Sequence, residues 1–183
     1  LCGSSLEDAG WRVHMEWTSD PFGLWSRGRD LNAAYTVAAI QPTILKHGAW
    51  TYQALCRTKQ GVVFETWTTN NAVSWSPLTR TSLPNPNSAL DGVRLQDGRL
   101  LLVYNHASEG RENLNVAVSR DGRTWQAVCE LEKETGAEFS YPAVIQARDG
   151  MVQVTYTWKR EKIRHVTLDP SKFQVRDMVD GRW

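Results

Sequence analysis

Short runs of apolar, aromatic and β-branched residues, separated by polar or glycine-containing stretches, are the main pattern along this chain. They include YQALCR (52–57), LLLVYN (100–105) and VQVTYTW (152–158), and each is followed by another such run, VVFETW, LNVAVS and IRHVTL. Runs of this kind bounded by turn residues are typical of β-strands. Helical periodicity is nearly absent, so the pattern predicts an all-β protein.

Two landmarks recur with a period of 50 residues. One is a polar turn that ends in tryptophan (EWTSDPFGLW, TWTTNNAVSW, VAVSRDGRTW), and the other begins an apolar run (QPTILKHG, DGVRLQDG, YPAVIQARDG). The turns end at Trp25, Trp75 and Trp125, and the runs begin at Gln41, Asp91 and Tyr141. The residues from one landmark to the next landmark of the same kind form one repeat unit, and the pattern within it predicts four strands. Repeats of about 40 to 50 residues with four strands each are the signature of β-propellers, whose blades surround a central channel.

The third tryptophan turn, SRDGRTW, is the clearest of the three. In such a turn Asp and Ser side chains accept hydrogen bonds from nearby amides, and glycine permits a positive φ. The tryptophan can bury a large ring between neighbouring sheets. We therefore predict that Asp121 and Trp125 are architectural, and that Trp25, Trp75 and Trp125 take equivalent positions in successive blades.

One domain, 1–183, is predicted, with blade boundaries near 40, 90 and 140. LCGSSLE at the start matches the second strand of a blade whose first strand is missing, and the last unit ends near FQVRDM (173–178). We expect about three to four four-stranded blades, which form only part of a ring. Open strand edges promote association. The missing half of the propeller, or a homo-oligomer formed through the open edges, is therefore expected to cover them.

Composition excludes several classes of function. Lys plus Arg number 21 and Asp plus Glu 20, so the net charge of +1 argues against a nucleic-acid partner or a polybasic membrane anchor. No apolar run of about 18 residues and no signal peptide is visible, which predicts a soluble chain of unassigned compartment. Cys2, Cys56 and Cys129 lack metal-ligand spacing and are expected as free thiols, with no metal or cofactor.

The tryptophan turns resemble the Asp-box, or BNR repeat, of the sialidase superfamily. Longer segments, IQPTIL, QALCRTKQG, LPNPNSALDGVRLQDGRLLLVYNH, GRENLNVAVSRDGRTW and FSYPAVIQARDGMVQVTYTWKR, are similar to bacterial neuraminidase homologues with BNR repeats. The resemblance covers nearly the whole chain. It implies a six-bladed propeller with the ligand at its axis, and an exo-sialidase-like glycoside hydrolase that acts on a terminal acidic sugar.

The resemblance also implies site residues. Members of the superfamily hold the substrate carboxylate with three arginines, because a guanidinium pairs with a carboxylate through two parallel hydrogen bonds. Arg57, sixteen residues after Gln41, matches the second arginine, and Arg111 matches the third. The first arginine and the acid Asp would belong to N-terminal blades that this sequence does not contain.

Tyr141 matches the tyrosine nucleophile of the superfamily, a role that tyrosine has in some glycosidases. A free phenol is only about one part in a thousand ionised at neutral pH, so it needs a base. The superfamily supplies a Glu, and Gln41 stands at that position here. An amide can orient a ligand or the phenol, but it cannot take the proton.

Further polar residues are expected near the same site. Four of them end strands that correspond to the strand ended by Arg57, namely Asn105, His106, Lys159 and Arg160. The other two, Asn87 and Asp91, lead into an inner strand. His106 is the best candidate acid or base among them, because its unperturbed pKa lies near neutrality. The candidates are Asn105, His106, Lys159, Arg160, Asn87 and Asp91.

Three hypotheses for function follow. The first is a sialidase-type hydrolase with Tyr141 as nucleophile and Arg57 and Arg111 as carboxylate clamp. The second keeps the site but changes the reaction, to elimination from a uronate-containing glycan or cleavage of a neutral sugar, which Gln41 favours. The third is a non-catalytic glycan-binding propeller. An acidic glycan or monosaccharide is the expected partner in the first case and in elimination.

Overall fold

A computed structural model of the chain describes residues 1–8, 10–33, 35–179 and 182–183. About half of the chain is β-strand, and the described residues contain no α-helix, so the predicted all-β fold is confirmed. The strands form four antiparallel sheets that follow one another along the chain.

Apart from the last strand of the chain, each sheet is built from consecutive strands. The first contains β1 (Cys2–Leu6), β2 (Arg12–Trp17) and β3 (Ser26–Arg27), and the second contains β4 (Ala39–Lys46), β5 (Tyr52–Thr58), β6 (Val62–Thr68) and β7 (Thr79–Pro84). The third contains β8 (Asp91–Arg94), β9 (Leu100–Tyr104), β10 (Asn113–Ser119) and β11 (Trp125–Lys133), and the fourth contains β12 (Phe139–Gln146), β13 (Val152–Trp158) and β14 (Lys162–Leu168). A 3₁₀ turn at Pro170–Lys172 precedes the short strand β15 (Arg176–Asp177).

The core consists of apolar layers between successive sheets. Strand β9 contributes to two of them, because alternate side chains point to opposite faces of a strand. Leu101 and Val103 pack with Val154 and Tyr156 of the fourth sheet. Leu100, Leu102 and Tyr104 pack in the other layer, with Leu45, Leu55 and Val63 of the second sheet. The sheets therefore stack face to face in chain order.

The last strand joins the third sheet, although the sequence places it at the end of the fourth unit. β15 pairs with β11, so that the third sheet has five strands and the fourth has three. Arg99, directly before β9, contacts the segment that leads to β15: its Nη2 donates to Pro170 O at 2.9 Å and its guanidinium lies 5.6 Å from the centroid of the Phe173 ring. Gln126 Nε2 then donates to Asp177 Oδ1 at 2.7 Å.

The sheets have two different ends. At one end β4, β8 and β12 begin and β5, β9 and β13 finish, and Arg57 pairs there with Ile40. We call this the arginine end. At the other end β6 and β10 finish and lead into the second and third tryptophan turns, and we call it the turn end.

The third tryptophan turn is closed by its own side chains. Ser119 Oγ accepts the Gly122 amide at 2.8 Å, and Asp121 Oδ1 accepts the Thr124 amide at 2.7 Å. Trp125 is 4% exposed, and its Nε1 donates to Gly122 O at 3.1 Å. Gly122 has φ 74°, and a Cβ there would lie 2.2 Å from Gln53 Oε1 of the second sheet, so only glycine fits.

The other two turns make related hydrogen bonds with less burial. Thr68 Oγ1 accepts the Ala72 amide at 3.2 Å, and Asn70 Oδ1 accepts the Ser74 amide at 3.0 Å. In the first turn Asp20 Oδ1 accepts the Phe22 amide at 2.9 Å. Trp25 is 46% exposed, because this turn has no earlier sheet among the described residues to pack against.

Candidate functional site

Arg57 is the centre of a polar cluster at the arginine end. It lies in β5 and is only 8% exposed. Its Nε donates to Asn87 Oδ1 at 2.8 Å, and its Nη1 donates to Gln41 Oε1 at 3.2 Å. Both acceptors are neutral amide oxygens, and no carboxylate in the described part of the chain pairs with Arg57, so the guanidinium is oriented without being neutralised by these residues.

Arg111 reaches the same cluster from the loop before β10. Its Nη2 donates to Asn87 O at 3.0 Å, and its Nη1 donates to Glu138 Oε1 at 3.2 Å. The guanidinium also lies 5.7 Å from the ring centroid of Tyr141. Asn87 therefore contacts both arginines, one through its side chain and the other through its backbone carbonyl.

Gln41 and Tyr141 lie at corresponding β-bulges in the second and fourth sheets. Their φ angles are 51° and 52°, and the register shifts beside each of them. Each is followed by a proline, Pro42 or Pro142, which has no amide to donate to the strand ladder. A positive φ in a residue other than glycine costs about 1 to 3 kcal/mol and is concentrated at functional sites. The bulges redirect both side chains at the arginine end.

The phenol of Tyr141 is half exposed, with 51% of the residue accessible. Its pKa is lowered, first by hydrogen bonding to Arg57 and then by Arg111, which together outweigh the effect of partial burial. The two guanidinium groups thus favour the phenolate. The structure brings together the sequence-predicted residues Gln41, Arg57, Asn87, Arg111 and Tyr141.

Glu138 belongs to the cluster and was missed from the sequence. Its carboxylate accepts from Arg160 Nε at 2.8 Å and from Ser140 Oγ at 3.0 Å, besides the contact with Arg111. Partial burial alone raises the pKa of Glu138, but these hydrogen bonds and charges outweigh it and leave the pKa lowered. Its position three residues before Tyr141, in EFSY, was the only available signal.

Lys159 and Arg160 lie at the outer side of the cluster, just after β13. Lys159 Nζ donates to Glu134 Oε1 at 2.5 Å, and Arg160 is paired with Glu138. Both have positive φ, 53° and 57°. Each charge is compensated by a carboxylate of this chain.

Asn105 and Asp91 hold the strands in place. Asn105 is fully buried, and its Nδ2 donates to Phe139 O at 2.8 Å, which ties the end of β9 to the start of β12. Asp91 accepts from Thr43 Oγ1 and from the Val144 amide, both at 2.8 Å, and so joins β4, β8 and β12. Both side chains thus make framework contacts in this structure.

His106 packs with a different group of residues. Tyr104 Oη lies 2.5 Å from its Nδ1, and its ring is 5.3 Å from the ring of Trp183 near the end of the chain. Its backbone amide donates to Asn115 Oδ1 at 3.2 Å. An acid or base role for His106 stays a prediction.

Two further findings concern the described part of the chain only. No group of His, Cys, Asp and Glu residues there is arranged to hold a metal ion. No helix found there has the length and apolar character needed to span a bilayer.

Solved sialidases have the same fold over most of this chain. The NanB sialidase from Streptococcus pneumoniae is 10% identical, with a TM-score of 0.74 over 93% of this chain and 29% of its own. The intramolecular trans-sialidase from Ruminococcus gnavus, solved with oseltamivir carboxylate, is 16% identical, with a TM-score of 0.64 over 91% of this chain and 37% of its own. A protein of unknown function from Dyadobacter fermentans is also 16% identical, with a TM-score of 0.64 over 81% and 42%.

The family is defined by sequence as well. Residues 1–154 match the BNR repeat-like domain, and the chain therefore belongs to this family. It spans 29 to 42% of the structural relatives named above. A search of curated proteins finds no matching relative. At these identities the structural likeness concerns the fold alone.

Proposed function

We propose that this chain forms consecutive blades of a sialidase-type propeller and binds the carboxylate of an acidic sugar at the arginine end. The stacking of the four sheets, with β4, β8 and β12 joined through Asp91, supports the blade arrangement. The related hydrogen bonds of the three tryptophan turns support their assignment as Asp-boxes.

The observation that carries the proposed ligand is the convergence of Arg57 and Arg111 on Asn87 and Tyr141. Two guanidinium groups held by one residue can present several N–H donors to a single carboxylate. Arg57 makes no ion pair with a described carboxylate, so its charge is available to a ligand. An acidic sugar bound there would have its reacting carbon near the Tyr141 phenol.

In the proposed hydrolysis the Tyr141 phenolate attacks the anomeric carbon of the acidic sugar. A bond forms between the phenol oxygen and that carbon, the glycosidic C–O bond breaks, and the leaving oxygen takes a proton from solvent water. Water then hydrolyses the tyrosyl intermediate and the phenol is regenerated. The lowered pKa of Tyr141 supports this role, since Gln41 cannot act as a base.

Calorimetric titration of sialic acid and of galacturonic acid tests the binding step. Losing one member of a desolvated charge pair costs about 2 to 5 kcal/mol, so Arg57→Ala should weaken binding at least tenfold. Arg94→Ala is the matched control, because this exposed arginine ends β8 at the turn end. Equal affinities of the two variants for every acidic sugar would remove the proposed clamp.

Activity on a chromogenic sialoside tests the reaction. Tyr141→Phe should abolish hydrolysis while leaving binding within about threefold, because only the hydroxyl is lost. Gln41→Glu should raise hydrolysis, since a carboxylate there can take the phenol proton. Hydrolysis that survives in Tyr141→Phe would contradict the nucleophile assignment.

Elimination from a uronate-containing glycan is a second candidate, favoured by the neutral Gln41 beside Arg57 and a phenol flanked by two cations. Here the phenolate removes the C5 proton, the C4–O4 bond breaks and a C4=C5 double bond forms. The same phenol returns the proton to O4, so no water is consumed.

Ultraviolet absorbance of an unsaturated uronate would identify this reaction, and oxygen-18 from solvent water in the product would identify hydrolysis. Binding without either product would indicate a glycan-binding propeller.

Further blades are expected to cover the outer face of the fourth sheet. Ile145 of β12 and Ile163 of β14 are 62% and 69% exposed on this sheet. Exposed apolar sheet surface of this kind favours association. We expect the covering blades to come from the remainder of a longer protein or from a second copy, and the solution mass of the chain distinguishes the two.

A further inference from the structure

Trp11 holds two cations at the arginine end. It lies directly before β2, and its ring centroid is 5.1 Å from Arg57 Cζ and 4.4 Å from Lys59 Nζ. Lys59 is exposed and follows the last residue of β5, and its backbone amide donates to Ala38 O at 3.1 Å. The first sheet therefore supplies an aromatic ring to a cluster that otherwise comes from the other three sheets.

An aromatic ring and a carboxylate differ in how they affect the positive charge of the side chain that they contact. A ring attracts a cation through its quadrupole and carries no net charge, so it orients the cation without neutralising it. The opposite side of the cluster is different, because Arg160 and Arg111 are paired with Glu138 and Lys159 with Glu134. Within the described ranges no carboxylate is paired with Arg57 or Lys59. The uncompensated positive charge is thus concentrated on the Trp11 side.

Two neighbouring cations without counter-charge repel each other, and this repulsion is relieved when anions bind. Arg57 is needed for the sugar carboxylate in the proposed function. Lys59 remains as a second positive group on the same aromatic ring, at the solvent-exposed margin of the site. A ligand that carries a second negative group beside the first would satisfy both.

We infer that Lys59 and Trp11 form a second anion subsite, and that the preferred ligand is an acidic oligosaccharide with negative groups on two adjacent sugars. This inference rests on the proposed function for the first sugar, which Arg57 binds. Lys59 contacts the carboxylate or sulfate of the second sugar, and Trp11 positions the ammonium group. A monosaccharide occupies only the first subsite.

Calorimetric titration with a sialic acid dimer and a galacturonic acid dimer, each against its monomer, tests the subsite. The protein should bind at least one dimer more tightly than its monomer. Lys59→Ala should weaken binding of that dimer about fivefold, the upper range for an exposed ion pair, and leave the affinity for the monomer within about twofold. Lys59→Arg should restore most of the dimer affinity, because the positive charge is kept.

The matched control is Lys46→Ala. Lys46 is also an exposed lysine over an aromatic ring of the second sheet, 5.9 Å from Tyr52, but it ends β4 at the turn end. It should leave the affinities for dimer and monomer unchanged. Trp11→Phe keeps a ring and should retain part of the dimer preference, which guards against loss of folding in Trp11→Ala.

The outcomes that would contradict the second subsite differ from those that would contradict the proposed function. Equal affinity of the protein for dimers and monomers would overturn the second subsite, as would a Lys59→Ala variant that weakens both ligands equally. If Arg57→Ala still binds monomers normally, the proposed function fails. If Arg57→Ala loses the monomer and Lys59→Ala changes nothing, only the subsite is wrong.

Discussion

The arginine end and the turn end of the same sheets differ in how their polar groups are satisfied. At the turn end Ser119 and Asp121 bond to amides of their own turn, and Trp125 is buried between sheets. At the arginine end Arg57 donates to the neutral amide oxygens of Asn87 and Gln41 and pairs with no described carboxylate, and Tyr141 is half exposed.

Backbone conformation follows the same division. Among the described residues other than glycine, seven have positive φ. Five of them lie at the arginine end and two at the turn end: Gln41, Asn87, Tyr141, Lys159 and Arg160, against Asn71 and Ala72. Strain of this kind persists only where the surrounding structure fixes it. The comparison indicates that the turns stabilise the sheets, and that this stability supports a strained, charged site at the opposite end.

The largest effect on stability is expected for Trp125→Ala. Removing a buried aromatic ring costs about 3 to 5 kcal/mol, so the urea midpoint of unfolding should fall steeply. Trp25→Ala is the matched control and should cost less than about 1 kcal/mol, because this ring is 46% exposed. Sugar affinity of the folded Trp125→Ala protein should be unchanged. Equal losses of stability for both variants would break the comparison.

Gly122→Ala is expected to have the next largest effect. The new Cβ would meet Gln53 Oε1 at a φ of 74°, so the free energy of unfolding should fall by about 2 kcal/mol or more. Ala72 is the corresponding residue of the second turn, with φ 65°. Ala72→Gly should therefore change stability in the opposite direction, by up to about 1 kcal/mol. Urea unfolding of both variants measures the two shifts, and shifts of the same sign would contradict this assignment.

Glu138→Gln tests the arginine end. It removes the charge that pairs with Arg111 and Arg160, so the free energy of unfolding should fall by about 1 kcal/mol. Affinity for acidic sugars should rise about threefold, because more positive charge faces the ligand. Glu130→Gln, at an exposed pair with Lys133, is the control. A Glu138→Gln protein that binds acidic sugars more weakly would show that this carboxylate organises the site instead of opposing the ligand.

A smaller effect is expected on the pH dependence of the free energy of unfolding, through Asp121 of the third tryptophan turn. Burial raises the pKa of Asp121, but backbone hydrogen bonds from Arg123 and Thr124 outweigh it and lower the pKa to about 2. This lies below the unfolded value of about 3.9, so the ionised carboxylate stabilises the fold above about pH 4. The contribution is lost as the pH falls toward 2. Asp121→Asn should flatten the stability profile in that window, and an unchanged slope would contradict the role of Asp121.

The all-β fold and the central strands of the units could be predicted from the sequence because they depend on local alternation and on a repeat of fixed length. Of the four strands predicted for every unit, the described first and fourth sheets have three and the third has five. The strands β5, β9 and β13 coincide closely with the predicted runs. Gln41, Arg57, Arg111 and Tyr141 were predicted as site residues from the family resemblance, and the structure brings them together.

What the sequence did not predict depends on contacts between distant segments. Glu138 was missed because its partners, Arg111 and Arg160, come from different loops. The contact of Asn87 with both arginines was missed because Arg111 donates to its backbone carbonyl, a group that every residue type has. The pairing of β15 with β11 leaves no local signal, since a strand's periodicity does not identify its neighbour.

The position of β15 has a consequence for the order in which the chain can fold. Its partner β11 is synthesised long before it, and the whole fourth sheet lies between them in the sequence. At a synthesis rate of about 5 to 20 residues per second, the outer edge of β11 stays unpaired on the ribosome for seconds. The third sheet is completed only after all strands of the fourth sheet have been synthesised, so closure of that edge comes later than synthesis of the neighbouring sheet.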